Sequence, residues 1–585
     1  MSAMTSCATI EPAMSQRLVK RIRDRLAKEQ GTVHKDWGGR IPIALIYPNA
    51  YAVGMSNLGF LTVYRLLNEH EDIVCERAFV PDRDGPAEQA STPRTETAYL
   101  SMESQRRLSE FEILAFSVSY ENDYPNIIEI VRGSGVPVLR EARRTGTVGY
   151  PLLIAGGPAV FLNPEPLADV MDCFLLGEAE ALLGEFLDVY RDRRYAPRSD
   201  LVRALCSVEG VYVPELYEPR YDGKGMLVAF DHAPGAPERV RRRRVENLGA
   251  FPTSAAITTP ETEFGRMFLV EIGRGCGRRC PFCATGQIYH PVRYRSPASL
   301  EGIIAESIGR GDEAGSRFGL VCASLGDYPH LPELYELIRR AGGTISAPSI
   351  RIDTLDDRML AMLADSGQKT ITVALEAGTE RVRKAVGKDI SNQAVLETID
   401  RLASFGIFGV RLYFMVGLPG EKDEDIDAIV GLVRQIRHRF LAVAKSTARM
   451  GEITLSVNPF VPKPWSPFQW CPMEEEAVLK ERLKRIHRGL DREPNVHVTH
   501  ALPKWAYLQA LLSRGDRRVG MFLHAEESFP RDFKRAFRAL NINPDFYVYR
   551  RRQRDELFPW DFIDQGVSKD TLYRDYEKAM GYIGQ

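Results

Sequence analysis

Two long stretches of the chain alternate short apolar runs with amphipathic ones. In the first, apolar runs at 41–47, 73–80, 113–117, 152–155 and 173–176 end at proline, glycine or polar residues, and 57–68 carries a helical period. Such runs predict strands, and strands alternating with helices predict a parallel, doubly wound sheet over residues 36–200. Ligands of such sheets bind at the carboxyl ends of the strands, here the loops at 48–56, 117–122, 155–158 and 177–180. The second stretch begins with the run 267–272 and continues with strand candidates at 319–323, 345–352, 370–375, 409–415 and 453–460. Helical periods at 331–340, 356–365, 393–405 and 424–437 separate them. Between the stretches, residues 190–251 mix proline, glycine and charge and predict a connector, including a basic run at Arg239 and Arg241 to Arg244. A basic amphipathic helix is predicted over 15–30, with Leu18, Ile22 and Leu26 on one face. Helices at 474–490, 504–513, 532–540 and 569–580 predict a mainly helical carboxyl-terminal region. The aromatic and proline-rich segment 461–470 reads as a rigid connector or as a wall against an apolar substrate. The resulting division is 1–35, a helical leader; 36–200, the first sheet; 201–255, the connector; 256–472, the second α/β unit; and 473–585, the helical region.

A chain of 585 residues exceeds one ordinary domain. With 44% hydrophobic and 26% charged residues it can build substantial cores. A formal net charge of -1 gives no general attraction to nucleic acid or anionic membrane. The nine cysteines are dispersed, apart from one triplet, as Cys7, Cys75, Cys173, Cys206, Cys322 and Cys471, so no disulfide framework is visible and a reducing cytoplasm is expected. The amino terminus lacks the apolar core of a secretory signal, and no run approaches the roughly 20 apolar residues of a membrane span. A lipid substrate stays compatible with this.

The triplet is the chemical centre. Cys276, Cys280 and Cys283 stand in a C-x3-C-x2-C spacing on the loop Gly273-Arg274-Gly275-Cys276-Gly277-Arg278-Arg279-Cys280-Pro281-Phe282-Cys283, directly after the run 267–272. Three clustered thiolates suit a soft metal centre, and an iron-sulfur cluster is the natural candidate. On a [4Fe-4S] cluster three ligands leave one iron open. The glycines let the backbone wrap a bulky anion, and they lead into cysteines rather than into a pyrophosphate-binding helix. A zinc site completed by His290 is the alternative.

With Phe282 just before the third cysteine, this loop resembles the signature of the radical SAM enzymes. The resemblance implies that S-adenosylmethionine chelates the open iron and that the reduced cluster cleaves it to a 5′-deoxyadenosyl radical, with an electron donor such as flavodoxin or ferredoxin. It also implies a partial (β/α)6 barrel for the second unit, giving an α/β fold class of Rossmann-like sheet, barrel and helical carboxyl-terminal region. Cofactor contacts expected from it, after successive strands, are Gly326, Ser349 and Arg351, then Glu376, then Arg411 and Tyr413. The first sheet resembles the cobalamin-binding module that precedes many such barrels, on its Ala155-Gly156-Gly157-Pro158 turn and its Gly177-Glu178-Ala179-Glu180 segment. In that family the glycine turn lies near the cofactor's nucleotide tail. The D-x-H-x-x-G motif is absent, and no histidine occurs between His70 and His232, so cobalamin would bind without a histidine below the cobalt. A sheet of this fold without cofactor is the other reading. Residues 557–564 resemble the ending of uncharacterised bacterial radical SAM proteins with such a front domain. The expected activity is radical chemistry, with methyl transfer to an unactivated carbon of a small molecule or lipid if cobalamin is present. The alternatives are a methylthiotransferase of tRNA or protein, whose front domain would carry three more cysteines, and a non-catalytic iron-sulfur protein, for which Cys322 is the thiol to examine.

Overall fold

The computed structural model describes residues 12–82, 99–145, 149–309, 317–447, 451–525, 533–540 and 542–584. Cys7 and residue 532 of the predicted helix 532–540 lie outside them. Ile41–Ala50 (β1) is buried along its apolar length, as a continuous apolar run must be when a parallel sheet is covered on both faces. It pairs in parallel with Ile73–Val80 (β2) on one side and Ile113–Ser117 (β3) on the other. Leu152–Gly156 (β4) and Cys173–Leu175 (β5) extend the sheet in parallel. The strand order β2-β1-β3-β4-β5 is doubly wound, with its reversal between β1 and β3. The helix after β1, Leu58–Glu69, starts where the Asn57 side chain accepts a hydrogen bond from the Phe60 N–H, so the cap fixes Asn57 at the carboxyl end of the sheet.

The connector is more ordered than its composition predicts. It supplies the helix Arg198–Leu205, a sixth strand Val211–Tyr212 (β6) antiparallel to β5, and the hairpin Tyr217–Tyr221 (β7) and Leu227–His232 (β8). These strands are too short or too mixed to show a period of two, and neighbouring chain decides them.

The second unit begins with Phe268–Glu271 (β9), followed by the short antiparallel pair Gly273–Arg274 (β10) and Arg293–Tyr294 (β11). Arg317–Val321 (β12) and Thr344–Ser346 (β13) add to β9 in parallel. A bridge from Ile350 to Val373 joins this group to Thr370–Glu376 (β14), Gly409–Val416 (β15), Glu452–Pro459 (β16) and Val496–His500 (β17), again all parallel. The result is an open barrel with edges at β9 and β17. Two expectations change. The strand predicted over 345–352 stops at Ser346, because Pro348 lacks an N–H for the ladder, so Ser349 and Arg351 sit on a loop. The region predicted to be mainly helical also contributes β17, whose sequence Val-His-Val-Thr-His alternates polar residues with valine and leaves the polar ones exposed.

Along β14, β15 and β16, buried Ile371, Val373, Val410, Leu412, Ile453 and Leu455 alternate with the more open Thr372, Ala374, Arg411, Tyr413, Thr454 and Ser456. The register aligns Thr372, Arg411 and Thr454, and one step on Ala374, Tyr413 and Ser456, so one face of the barrel wall is an accessible, partly polar strip. The aromatics of segment 461–470 are buried: Trp465 and Trp470 are 3% and 1% exposed, and Gln469 accepts from the Trp560 indole at 3.0 Å. They pack into the core as a joint between the barrel and the carboxyl-terminal region.

Candidate cluster and cofactor site

The strand β9 delivers the chain to the cysteine loop, and β10 and β11 close its neck, pairing Gly273 with Tyr294 and Arg274 with Arg293. Gly275 turns the loop at φ +90°, where a Cβ would lie 2.3 Å from the Tyr289 carbonyl oxygen. Within the loop, Cys280 is buried and Cys276 and Cys283 are half-buried. The Arg351 guanidinium lies 3.7 Å from the Cys280 sulfur. Burial pushes the Cys280 thiol up, while the charges of Lys388 and Arg351 act in the opposite direction and favour thiolate. Arg278, between the first two cysteines, donates to Asp327 at 2.8 Å and lies 3.6 Å from Asp353, which also holds Arg351 at 2.9 Å. Gly326 packs so tightly on Thr354 that a Cβ would lie 2.1 Å from Oγ1. The loops after β12 and β13 are thereby tied to the cysteine loop.

Glu376 ends β14 at φ +70°, a conformation that costs a non-glycine residue energy and tends to occur at functional sites. Its carboxylate lies 3.3 Å from the Lys388 ammonium; burial pushes its pKa up against the pull of that charge. Arg411 and Tyr413 lie on the open face of the neighbouring strand, level with Thr372 and Ala374. Arg351, Glu376 and Gly326 thus gather around the cysteine loop, and Phe282 packs half-buried against the core beside it. Ser349 is exposed, and among the described residues no hydrogen bond ties it to the loop. Among the described residues, no three His, Cys, Asp or Glu side chains converge on one ion position, His290 included. Three free thiols on one loop, with the Arg351 guanidinium 3.7 Å from the Cys280 sulfur, fit an anionic iron-sulfur cluster.

A cavity of about 750 Å³ lies between this loop and the carboxyl ends of the first sheet. Its sheet-side wall includes Asn57, Ser119, Gly156 and Gly157, and its barrel-side wall includes Arg274, Gly275 and Cys322. The wall is mostly apolar. Burial pushes the Cys322 thiol up to about 12, so it is held as a neutral thiol. Gly157 has φ 108° and ψ 168°, a region open essentially to glycine, and it abuts the Val118 backbone. The sequence pattern marked these glycines.

It did not mark the ion network that joins the two units. Glu178 accepts from Arg274 at 2.8 Å and from Arg293 at 2.6 Å, Glu180 accepts from Arg274 at 2.8 Å, and Glu271 holds Arg274 and Arg295 at 2.8 Å each. The signal was available: two carboxylates in a glycine turn at a strand's end need cations if the turn is buried. The basic run pairs within the chain: Arg242 is buried near Glu178, while Arg241 on Glu209, Arg243 on Glu185 and Arg244 on Glu246 form pairs open to solvent.

Residues 270–433 match the Radical SAM superfamily, and residues 59–214 match the family of radical SAM proteins, N-terminal. Both units of the chain carry radical SAM segments. A relative, an uncharacterised protein of Methanocaldococcus jannaschii, is 29% identical over 82% of this chain and 90% of its own length. The tRNA-2-methylthio-N(6)-dimethylallyladenosine synthase of Streptomyces viridosporus is 24% identical over 42% of this chain, which spans half of that enzyme. Among solved structures, the radical S-adenosylmethionine methyltransferase TsrM from Kitasatospora setae, with cobalamin and a [4Fe-4S] cluster bound, aligns at 14% identity over 73% of this chain and 74% of its own, with a TM-score of 0.45.

One buried acid in the turn that follows β3 gives a testable pH dependence. Burial pushes Asp123 up to about 7, the Asn49 amide, donating at 2.8 Å, opposes this, and the Glu121 charge adds to it. An acid with a raised folded pKa binds its proton more tightly when folded, so its contribution is full below the unfolded pKa and is lost as pH rises through the folded one. Stability is expected to fall by on the order of 1–3 kcal/mol between about pH 4 and 7 on this account. Urea melts across that range check it, with Asp123→Asn expected to remove the decline.

Proposed function

We propose that this protein is a radical SAM enzyme that reductively cleaves S-adenosylmethionine at a [4Fe-4S] cluster held by Cys276, Cys280 and Cys283, and that cobalamin occupies the cavity in front of it for methyl transfer to an unactivated carbon. The observation that carries the reading is the cavity itself, walled on one side by the carboxyl ends of a doubly wound sheet and on the other by the neck of the cysteine loop. When bound, the cluster would supply the electron for cleavage and cobalamin a carrier for the methyl group. Arg351 and Lys388 set positive charge beside Cys280, favouring thiolate. Glu376, with Arg411 and Tyr413 one strand away, offers an acceptor and donors for the amino and carboxylate groups of S-adenosylmethionine. The apolar cavity wall keeps water from reactive species. Electrons would come from a flavodoxin- or ferredoxin-type donor, in the cytoplasm, and the substrate would be a small molecule or lipid. Among the described residues no helix is long and apolar enough to cross a membrane.

Sequence similarity to tRNA methylthiotransferases favours a second reading, sulfur insertion. Against it, Cys75 and Cys173 of the first sheet are fully enclosed within β2 and β5, with burial pushing both thiols well up. The deciding experiment is to produce the protein without oxygen in cells supplied with cobalamin and to compare its cobalamin and iron. Cobalamin in step with cluster is expected. A full cluster without cobalamin would overturn the cobalamin reading, and protein without a cluster would overturn both.

A further inference from the structure

The neck of the cysteine loop is a ladder of two residue pairs, of which Arg274 and Arg293, facing each other across β10 and β11, are the one nearer the cysteines. A single carboxylate of the other unit grips both. Glu178 accepts from Arg274 through Oε2 at 2.8 Å, and from Arg293 through Oε1 at 2.6 Å and Oε2 at 2.9 Å. The Val245 N–H adds a fourth bond at 2.9 Å, and Arg242 stands 3.9 Å away. The Glu178 side chain is 2% exposed, and Arg274 and Arg293 are 12% and 8% exposed. Burial works to raise the Glu178 carboxyl, and the Arg293 hydrogen bonds with the Arg274 charge outweigh it and hold it below the usual range. Glu178 also stands at the start of the helix Ala179–Arg193, where an acid commonly caps the helix, yet its side chain makes no capping bond. Arg274 has Glu180 and Glu271 as further partners, whereas among the described residues Arg293 has no other carboxylate. Glu178, Arg274 and Gly275 all line the cavity.

We propose that Glu178 is a positioning residue for the cluster: it clasps the neck of the cysteine loop from the first sheet, and it makes the environment of the cluster respond to what fills the cavity. This rests on the cluster reading above. A carboxylate holding two guanidiniums across a hairpin fixes the strand separation there, two residues before Cys276. An occupant of the cavity meets the clasp directly.

The test uses the full chain with its cluster reconstituted, wild type beside Glu178→Gln, and Glu185→Gln as control, since Glu185 pairs with Arg243 on an exposed helix face. The readouts are the electron paramagnetic resonance spectrum and midpoint potential of the reduced cluster, each with and without hydroxocobalamin. The wild-type spectrum and potential are expected to shift on adding hydroxocobalamin. Glu178→Gln is expected to keep its iron, to show an altered spectrum without hydroxocobalamin, and to lose the shift; Glu185→Gln is expected to match wild type. If Glu178→Gln does not fold, Arg293→Lys replaces it, retaining a cation but losing the two-pronged grip, with the same expected changes. A variant with the wild-type spectrum, potential and shift would overturn the inference while leaving the cluster intact as a finding. A wild-type cluster indifferent to bound hydroxocobalamin would overturn the coupling. Wild-type protein that takes up no cluster would overturn the functional reading first, and this with it.

Discussion

Cys280→Ala is expected to reduce the yield of 5′-deoxyadenosine to background when the protein is incubated with S-adenosylmethionine and a strong reductant. Cys280 is the most enclosed of the three thiols, 9% exposed, and it is the one flanked by Arg351. Losing an outer-sphere partner of a metal site typically costs about 10–100-fold in metal affinity or activity, and losing one of three cluster ligands must exceed that. Two thiols cannot hold a four-iron cluster against loss of iron, so iron per chain should fall together with cleavage. Arg351→Met, which leaves every ligand in place, is expected to retain the cluster and lose activity within the 10–100-fold range of an outer-sphere partner. Chromatography of the nucleoside products and iron analysis decide both. Undiminished cleavage by Cys280→Ala would sink the assignment of these cysteines.

The second large effect is expected in the cavity wall. Gly157→Ala places a Cβ 2.5 Å from the Val118 carbonyl oxygen and 3.0 Å from the Val118 nitrogen, both backbone atoms that cannot swing aside. It also forces a non-glycine residue into φ 108° and ψ 168°. Such backbone strain costs on the order of 1–3 kcal/mol, and overpacking a filled site adds about 1–3 kcal/mol. Relief requires β4 and the loop after β3 to part, since the Val118 N–H donates to Gly156 at 2.8 Å and its carbonyl accepts from Ala159 at 3.2 Å. The cavity therefore deforms as the fold weakens. Gly184→Ala is the matched control, because that glycine lies inside the helix Ala179–Arg193 with nothing within 4 Å of a Cβ, and it should be neutral or slightly stabilising. Denaturant melts and cobalamin retention, read on both variants, separate the two cases. Unchanged stability and retention in Gly157→Ala would show that this turn is neither strained nor part of the binding wall.

The first sheet was legible because each strand is a separate apolar run: 41–47 became β1, 73–80 became β2, 113–117 became β3, and the two later runs became β4 and β5 within a residue or two. The barrel strands were legible for the same reason, except where Pro348 cut the third short and where β17 hid behind polar residues. The cysteine loop was legible because three ligands in one short segment need no tertiary contact to be recognised together. Glu376 and Arg351 were legible only as positions after strands; that Arg351 approaches Cys280 and Glu376 approaches Lys388 is a property of the curve of the open barrel.

What the sequence alone determined is the local grammar of this protein: apolar periodicity, which specifies strands and helices through burial, and a cysteine spacing, which specifies soft-metal chemistry through ligand density. What the tertiary structure decided is every pairing across long sequence separation. Glu178 and Arg274 are apart in sequence but 2.8 Å apart in space, and the buried Arg242 of the basic run stands beside the same Glu178. The reason is physical. A burial preference is carried by each residue's own side chain, whereas the partner that compensates a buried charge is chosen only when the chain folds back and removes the water that would otherwise solvate it.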